Sequence, residues 1–497
     1  MQHHMPPAAR TRAGRREWLG LVVLTLPTLL AAVDINVLFL ALPQLSADLG
    51  TSGVEQLWII DIYGFMVAGL VITMGTLGDR IGRRRLLLTG AAAFGIASVL
   101  AAYAVSPAML IACRALLGIA GATLMPSTLA LITNMFRDDR QRGTAIAVWA
   151  TCQFAGAALG PVVGGLLLEH FWWGSVFLLA VPVIAALLVA GPLLLPEHRD
   201  PGAGRLDLTS VALSMLAILP IVWGIKTVAA SGSGVTATPI VVLATGGAFA
   251  VAFVRRQLRL EDPLLNLRLF AQRPFALVLT ALVLAGVAMA GVGLLVTQYL
   301  QTVLGYSPTQ AALWFAPMGL AVALGTTLTP AITRWVTPRV AITGGLVVSA
   351  LGAGLLTQTG DLPVVVAGIT VLALGTGPLF ALGTGIVVGS VRPERAGSAA
   401  SLLESGNYFG GTLGLAILGT VSAAVYRLRM AGTIPPGVPD DVARAAQETV
   451  AGAVSHGPGL AHAAHAAFTD ALSTVGLIAA ALFVVAAFLM RRLAPPS

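Results

Sequence analysis

Long apolar runs separated by short polar connections fill the chain from one end to the other. About twenty apolar residues is the length a helix needs to cross the hydrocarbon core of a bilayer. The pattern predicts fourteen such spans, at roughly 18–42, 55–78, 86–104, 108–133, 143–168, 174–195, 209–228, 237–254, 275–301, 310–331, 340–358, 362–388, 398–426 and 467–490. Each must be helical, because an unpaired backbone group in lipid is too costly to tolerate.

The second half of the pattern echoes the first. Aligning Gly143 with Gly397 without gaps places Gly156 on Gly410 and Gly160 on Gly414. Arg85, Thr89 and Gly90 recur in the same spacing as Arg339, Thr343 and Gly344. The correspondence pairs the fifth span with the thirteenth and the third with the eleventh. An all-α integral membrane fold follows, with two six-helix bundles and two extra central helices between them. The expected organisation is a basic tail (1–17), a first bundle (18–195), a linker carrying the seventh and eighth spans (196–273), a second bundle (274–490) with a long outer loop (427–466), and a short tail (491–497). Parallel repeats of this kind build many transporters, with the solute site between the halves.

Composition sharpens the class. Of 497 residues, 57% are hydrophobic and 10% charged, and the mean hydropathy is +0.89. Soluble proteins average about a quarter charged residues, so a soluble enzyme is excluded. The net charge is +8, and Lys226 is the sole lysine among 29 cations. The cations sort by side: the two tails and alternate loops hold 24, the other loops four, and Arg114 lies inside a span. Positive charge accumulates on the cytoplasmic side, which places both termini there and argues against a nucleic-acid face. Cys113 and Cys152 lie in apolar runs and read as packing residues. The first apolar run is too long for a cleaved signal and is read as a retained span.

Ionisable residues inside spans mark function by default. The carboxyls well inside are Asp34, Asp61 and Glu404, expected to bind protons or a cation. Asp34 and Asp61 should lie at similar depth on adjacent helices, where they could share a cation or a proton. Trp58 and Phe65 flank Asp61 at i−3 and i+4 and are candidate contacts for a lipophilic cation, whose charge an aromatic face attracts. Trp58 reads equally as an interfacial belt residue. Arg114 needs a carboxylate, backbone carbonyls or a wet cavity to face. Gly375–Thr376–Gly377 is not a nucleotide loop, because no strand precedes it. No ATP-binding motif is present, so an ion gradient is the expected energy source, without cofactor or metal. His456, His462 and His465 are placed in the outer loop.

The loop after the second span reads Gly75-Thr76-Leu77-Gly78-Asp79-Arg80-Ile81-Gly82-Arg83-Arg84-Arg85. It resembles the signature loop of the major facilitator superfamily. Arg114, with Gly118 and Gly121 after it, is similar to that superfamily's fourth-helix motif, in which the arginine is linked to proton transfer. Gly156, Gly160, Pro161 and Gly164 resemble the fifth-helix motif of its exporters. Asp34 sits in a segment that looks like the first-helix signature of the fourteen-span drug:proton antiporters, with departures at Asn36 and Phe39. The segment around Asp61, and Tyr299 to Pro308, look like the quaternary-ammonium and multidrug exporters. This resemblance implies proton-driven antiport of lipophilic cations in a bacterial inner membrane, by a monomer, with drug and antiseptic resistance as the outcome. It implies that Asp34, Asp61 and Glu404 are the proton and cation sites and Arg114 the coupling partner, a structural ion-pair role for Arg114 remaining open. Where some such exporters carry further acids, this chain has Val322, Leu403 and Tyr408. Two rival readings are a dedicated exporter of one antibiotic or metabolite, and a non-transporting receptor or scaffold.

Overall fold

The computed structural model describes residues 13–197, 199, 207–230, 237–260, 263, 267–358, 361–390, 396–434 and 438–492. For some helical positions, Glu404 among them, the description covers the backbone and not the side chain. Among the described residues the secondary structure is helical throughout. The first bundle comprises α1 (Arg15–Leu49), α2 (Gly53–Ile81), α3 (Arg83–Ala102), α4 (Pro107–Met135), α5 (Asp139–His170), the short α6 (Ser175–Leu178) and α7 (Ala180–Leu194). A hairpin of α8 (Leu208–Ala230) and α9 (Ala237–Arg259) follows. The second bundle comprises α10 (Arg273–Thr302), α11 (Pro308–Ile332), α12 (Pro338–Leu355), α13 (Leu362–Ser390), α14 (Ala396–Ala431), the short α15 (Asp440–Glu448) and α16 (Val450–Val454), and α17 (Pro458–Met490).

Among the described residues, thirteen helices are long and apolar enough to cross a bilayer by length and composition. The fourteenth membrane-length helix is α5, 32 residues long, which packs along both α1 and α11. A helix that faces other helices has less need of an apolar surface than one that faces lipid.

The repeat is visible in the packing. In α5, a side chain on Gly156 would strike the carbonyl of Leu29 in α1; in α14, one on Gly410 would strike the carbonyl of Val283 in α10. Both members of the second pair stand 254 positions after those of the first. Gly164 receives Val37, and at the same offset Gly291 receives Leu418, with the glycine moved to the opposite helix. Small residues of this kind let two helices touch along their backbones.

Two boundaries differ most from the sequence reading. The last span begins at Pro458 rather than near 467, so His462 and His465 belong to α17 and only His456 precedes it. The first helix continues through Pro43 to Leu49, where Gly50 closes it in the left-handed conformation at φ 64°.

The bundles meet through α2 with α14 and α5 with α11. Call the side bearing most loop arginines the arginine-rich face, and the other the far face. The close glycine approaches between bundles lie toward the far face: Leu57 on Gly419, Thr412 on Gly64, and Pro308 and Thr309 on Gly165. The α15 segment lies over the same end, with the Glu448 carbonyl against Gly53 and the Tyr426 hydroxyl donating to the Ala446 carbonyl at 2.9 Å. These contacts close the seam between the bundles at the far face.

Candidate functional site

Arg114 is 1% exposed, about two turns into α4 from its start at Pro107. Its Nη1 donates to Asp34 Oδ2 of α1 at 2.7 Å, and its Nε donates to the Ile59 carbonyl of α2 at 3.1 Å. The guanidinium also lies over the Tyr63 ring, 4.7 Å from its centroid. Gly118 and Gly121, one and two turns further along α4, leave the room that Tyr63 occupies. A buried guanidinium needs both a counter-charge and acceptors for its remaining protons. Here α1 and α2 supply them.

Asp61 is 1% exposed on α2. Its neighbours one turn either side fix its direction. Leu57 and Gly64 meet α14, whereas Phe65 packs with Val222 of α8 and Ala416 of α14. Asp61 stands three or four residues from each of them, so it shares the face of α2 that looks onto α14 and α8. Ile59 and Tyr63 occupy the opposite face, toward α4. The Arg114 contact holds Asp34 near the level of Ile59, two residues before Asp61, so the depths are similar. In this conformation, however, α2 stands between the two carboxyls and they do not converge on one point.

Trp58 is half-buried and lines an apolar groove of about 400 Å³ with Met215, Leu219, Pro220 and Trp223 of α8. Phe65 is fully buried in the three-helix cluster. Both aromatics therefore lie on the Asp61 side of α2, and both touch the central hairpin rather than an open space between bundles. The Glu404 side chain lies outside the described residues.

At the arginine-rich face, Asp79 pairs with Arg83 four residues on, at 2.6–2.7 Å, and Arg83 also reaches the Pro126 carbonyl of α4 at 3.4 Å. Gly82 adopts φ 112°, and a side chain there would strike the Glu197 carboxyl. That carboxyl accepts the Arg84 amide at 3.1 Å, capping the start of α3, and lies 3.7–3.8 Å from the Arg84 and Arg85 guanidinium nitrogens. Arg80 is exposed, and Gly75 is uncrowded, with Pro126 at 3.9 Å its nearest neighbour. Gly160 and Pro161 are buried in α5. Sequence reasoning missed Glu197. The one available signal was its place after the Pro196 that closes α7, on the same side as the arginine loop.

Residues 24–415 match the family described as "Major Facilitator Superfamily". The chain is 42% identical to "Multidrug efflux pump LfrA" of Mycolicibacterium smegmatis over 489 residues, 96% of each chain. It is 36% identical to "Methyl viologen resistance protein SmvA" of Salmonella typhimurium, over 81% of this chain and 82% of that one. Among solved structures, a bacterial homolog of the human lysosomal transporter Spinster, inward-facing and unoccupied, superposes with a TM-score of 0.66 at 18% identity, over 97% of this chain and all of the other. That likeness shows the shared fold.

Proposed function

This chain belongs to the Major Facilitator Superfamily, and we propose that within it the chain exchanges protons for lipophilic cations such as quaternary ammonium compounds and dyes. It is a multi-pass membrane transporter, not an enzyme, and its relatives named for multidrug efflux and resistance make it an efflux transporter. In the proposed orientation the arginine-rich face and both termini are cytoplasmic, in a bacterial cell membrane. Closure at the far face is then closure of the outer side.

One observation carries the reading: a buried Asp34–Arg114 ion pair behind α2, with a second buried carboxyl, Asp61, on the face of α2 that forms the seam between bundles. Protonation of Asp34 removes the charge that holds Arg114. The freed guanidinium then lacks a counter-charge in a dry setting, and the α1–α2–α4 contact must rearrange. On the other face, Asp61 attracts either a proton or a cation, with Trp58 and Phe65 as the aromatic neighbours. Rearrangement at Arg114 moves α2, and α2 carries Asp61 along the seam that must open. Proton binding at one face of α2 is thereby coupled to cation binding at the other, and rocking of the bundles alternates access. A gradient of about one pH unit supplies about 1.4 kcal/mol per proton. Glu404 of α14 is the third proposed proton or cation site.

The reading is tested by pH-gradient-driven ethidium transport in proteoliposomes. Wild type should transport, and Asp34→Asn and Asp61→Asn should lose gradient-driven transport at least tenfold while remaining folded. Normal transport by both variants, and by Glu404→Gln, would overturn the site assignment. Absence of any flux in well-folded wild type, across cationic and neutral substrates, would overturn the transport reading itself.

A further inference from the structure

The central hairpin is attached to the rest of the molecule through one of its two helices. Among the described residues, α8 packs on α2 and α14, whereas α9 packs chiefly on α8, with a small contact to the turn Leu267–Ala271. Only 11% of the α9 span is buried, and Val251, Val254 and Leu258 are all exposed. The rotation of α9 is nevertheless fixed at its arginine-rich end. Arg256 donates to Asp207 at 2.9 Å and to the Ser210 hydroxyl at 3.2 Å, and buried Gln257 donates to the same hydroxyl at 2.6 Å. With those two residues turned inward onto α8, Arg255 and Arg259 are exposed, on the side of α9 that turns away from α8. Neither has an ion-pair partner among the described residues. They stand four residues apart, about 5–6 Å at Cβ, close enough for two guanidiniums to grip one phosphate. Below them toward the membrane centre run Val251 and Val254. Nearby in the chain Phe270, 45% exposed, packs edge-on against Phe275 at 5.4 Å.

We propose that this face of α9 docks an anionic phospholipid from the leaflet at the arginine-rich face, with its phosphate on Arg255 and Arg259 and its acyl chains along Val251 and Val254. Charge complementarity selects this occupant. A second copy of the chain apposed through α9 would bring four guanidiniums together, and a zwitterionic lipid would offer no net charge to offset two. Membrane-proximal arginines attract anionic headgroups, and Arg binds phosphate in a fork geometry that Lys lacks. The inference stands independently of what the protein transports.

The test is native mass spectrometry of the full chain, released from nanodiscs of equal phosphatidylglycerol and phosphatidylcholine. Wild type should retain phosphatidylglycerol in preference. Arg255→Gln/Arg259→Gln should lower that retention by about 25-fold, or about fivefold per arginine. Arg137→Gln/Arg334→Gln, which removes the same charge from exposed sites elsewhere on that face, should leave it unchanged. Arg255→Lys/Arg259→Lys, which keeps the charge and loses the fork, should fall between wild type and the Arg255→Gln/Arg259→Gln pair, and equal thermal stability of all variants in detergent shows that folding is intact. Equal losses in the two glutamine pairs, equal retention of the two lipids, or a dimer abolished by the α9 pair without change in lipid retention would each overturn the proposal.

Discussion

Arg114 holds three groups at once: the Asp34 carboxyl, the Ile59 carbonyl and the face of Tyr63. Removing one partner from such a site costs more than removing both, because an uncompensated buried charge remains. Arg114→Ala should therefore destabilise the protein by about 3–5 kcal/mol, read as a drop in unfolding temperature in detergent. Adding Asp34→Asn to Arg114→Ala should recover part of the loss. If the double variant is as unstable as the single, the ion pair is not what the arginine serves. The individual charged residues were legible in the sequence because charge inside an apolar run stands out. Their pairing was not. Asp34 and Arg114 are 80 positions apart, and Arg84 and Glu197 are 113 apart, so the tertiary fold decides who meets whom. Nor could the sequence say that α2 would separate Asp34 from Asp61, because that depends on which of its faces meets α4.

At the scale of elements, the central hairpin is clamped by a polar cluster at one end and by apolar contacts elsewhere. Burial pulls the Asp207 carboxyl upward, but hydrogen bonds from Arg256 and Ser210 together outweigh it and hold the carboxyl below its ordinary value. A depressed carboxyl adds stability that is present above the ordinary carboxylate range, about pH 4, and is lost as pH falls through the depressed value. Across pH 5–8 the clamp stays charged and closed. Asp207→Asn should lower thermal stability at pH 7, with the difference from wild type vanishing in strong acid. It should leave the pH midpoint of transport where it was. A shifted midpoint would mean that the clamp takes part in coupling. The hairpin's two helices and the 254-residue repeat could be read from the apolar pattern, since small residues recur wherever backbones touch. The start of α17 was misread because Gly459, His462 and His465 break the apolar run although the segment is rich in helix-favouring alanine.

For the whole molecule, the far-face seam is the part that must open if access alternates. Leu57 of α2 lies on Gly419 of α14 in the closed state. Cysteines at both positions, Leu57→Cys and Gly419→Cys, should cross-link under oxidation and stop transport at least tenfold, with recovery on reduction. Transport that continues through the cross-linked form would mean that this seam does not separate. The two-bundle architecture follows from the count of spans and the side preference of the arginines, both long-range patterns that survive local error. The closed state does not, because one sequence must support both open and closed arrangements.

The central claim is that protons and a cation compete for buried carboxyls, and the most direct measurement is proton release on cation binding. Purified wild-type protein in weakly buffered detergent solution, at a pH where the site is half-saturated by protons, should release about half a proton per tetraphenylphosphonium bound, rising toward one at lower pH, and Asp61→Asn should release none. Tight cation binding by wild type with no proton release, or the same release from the variant, would contradict it.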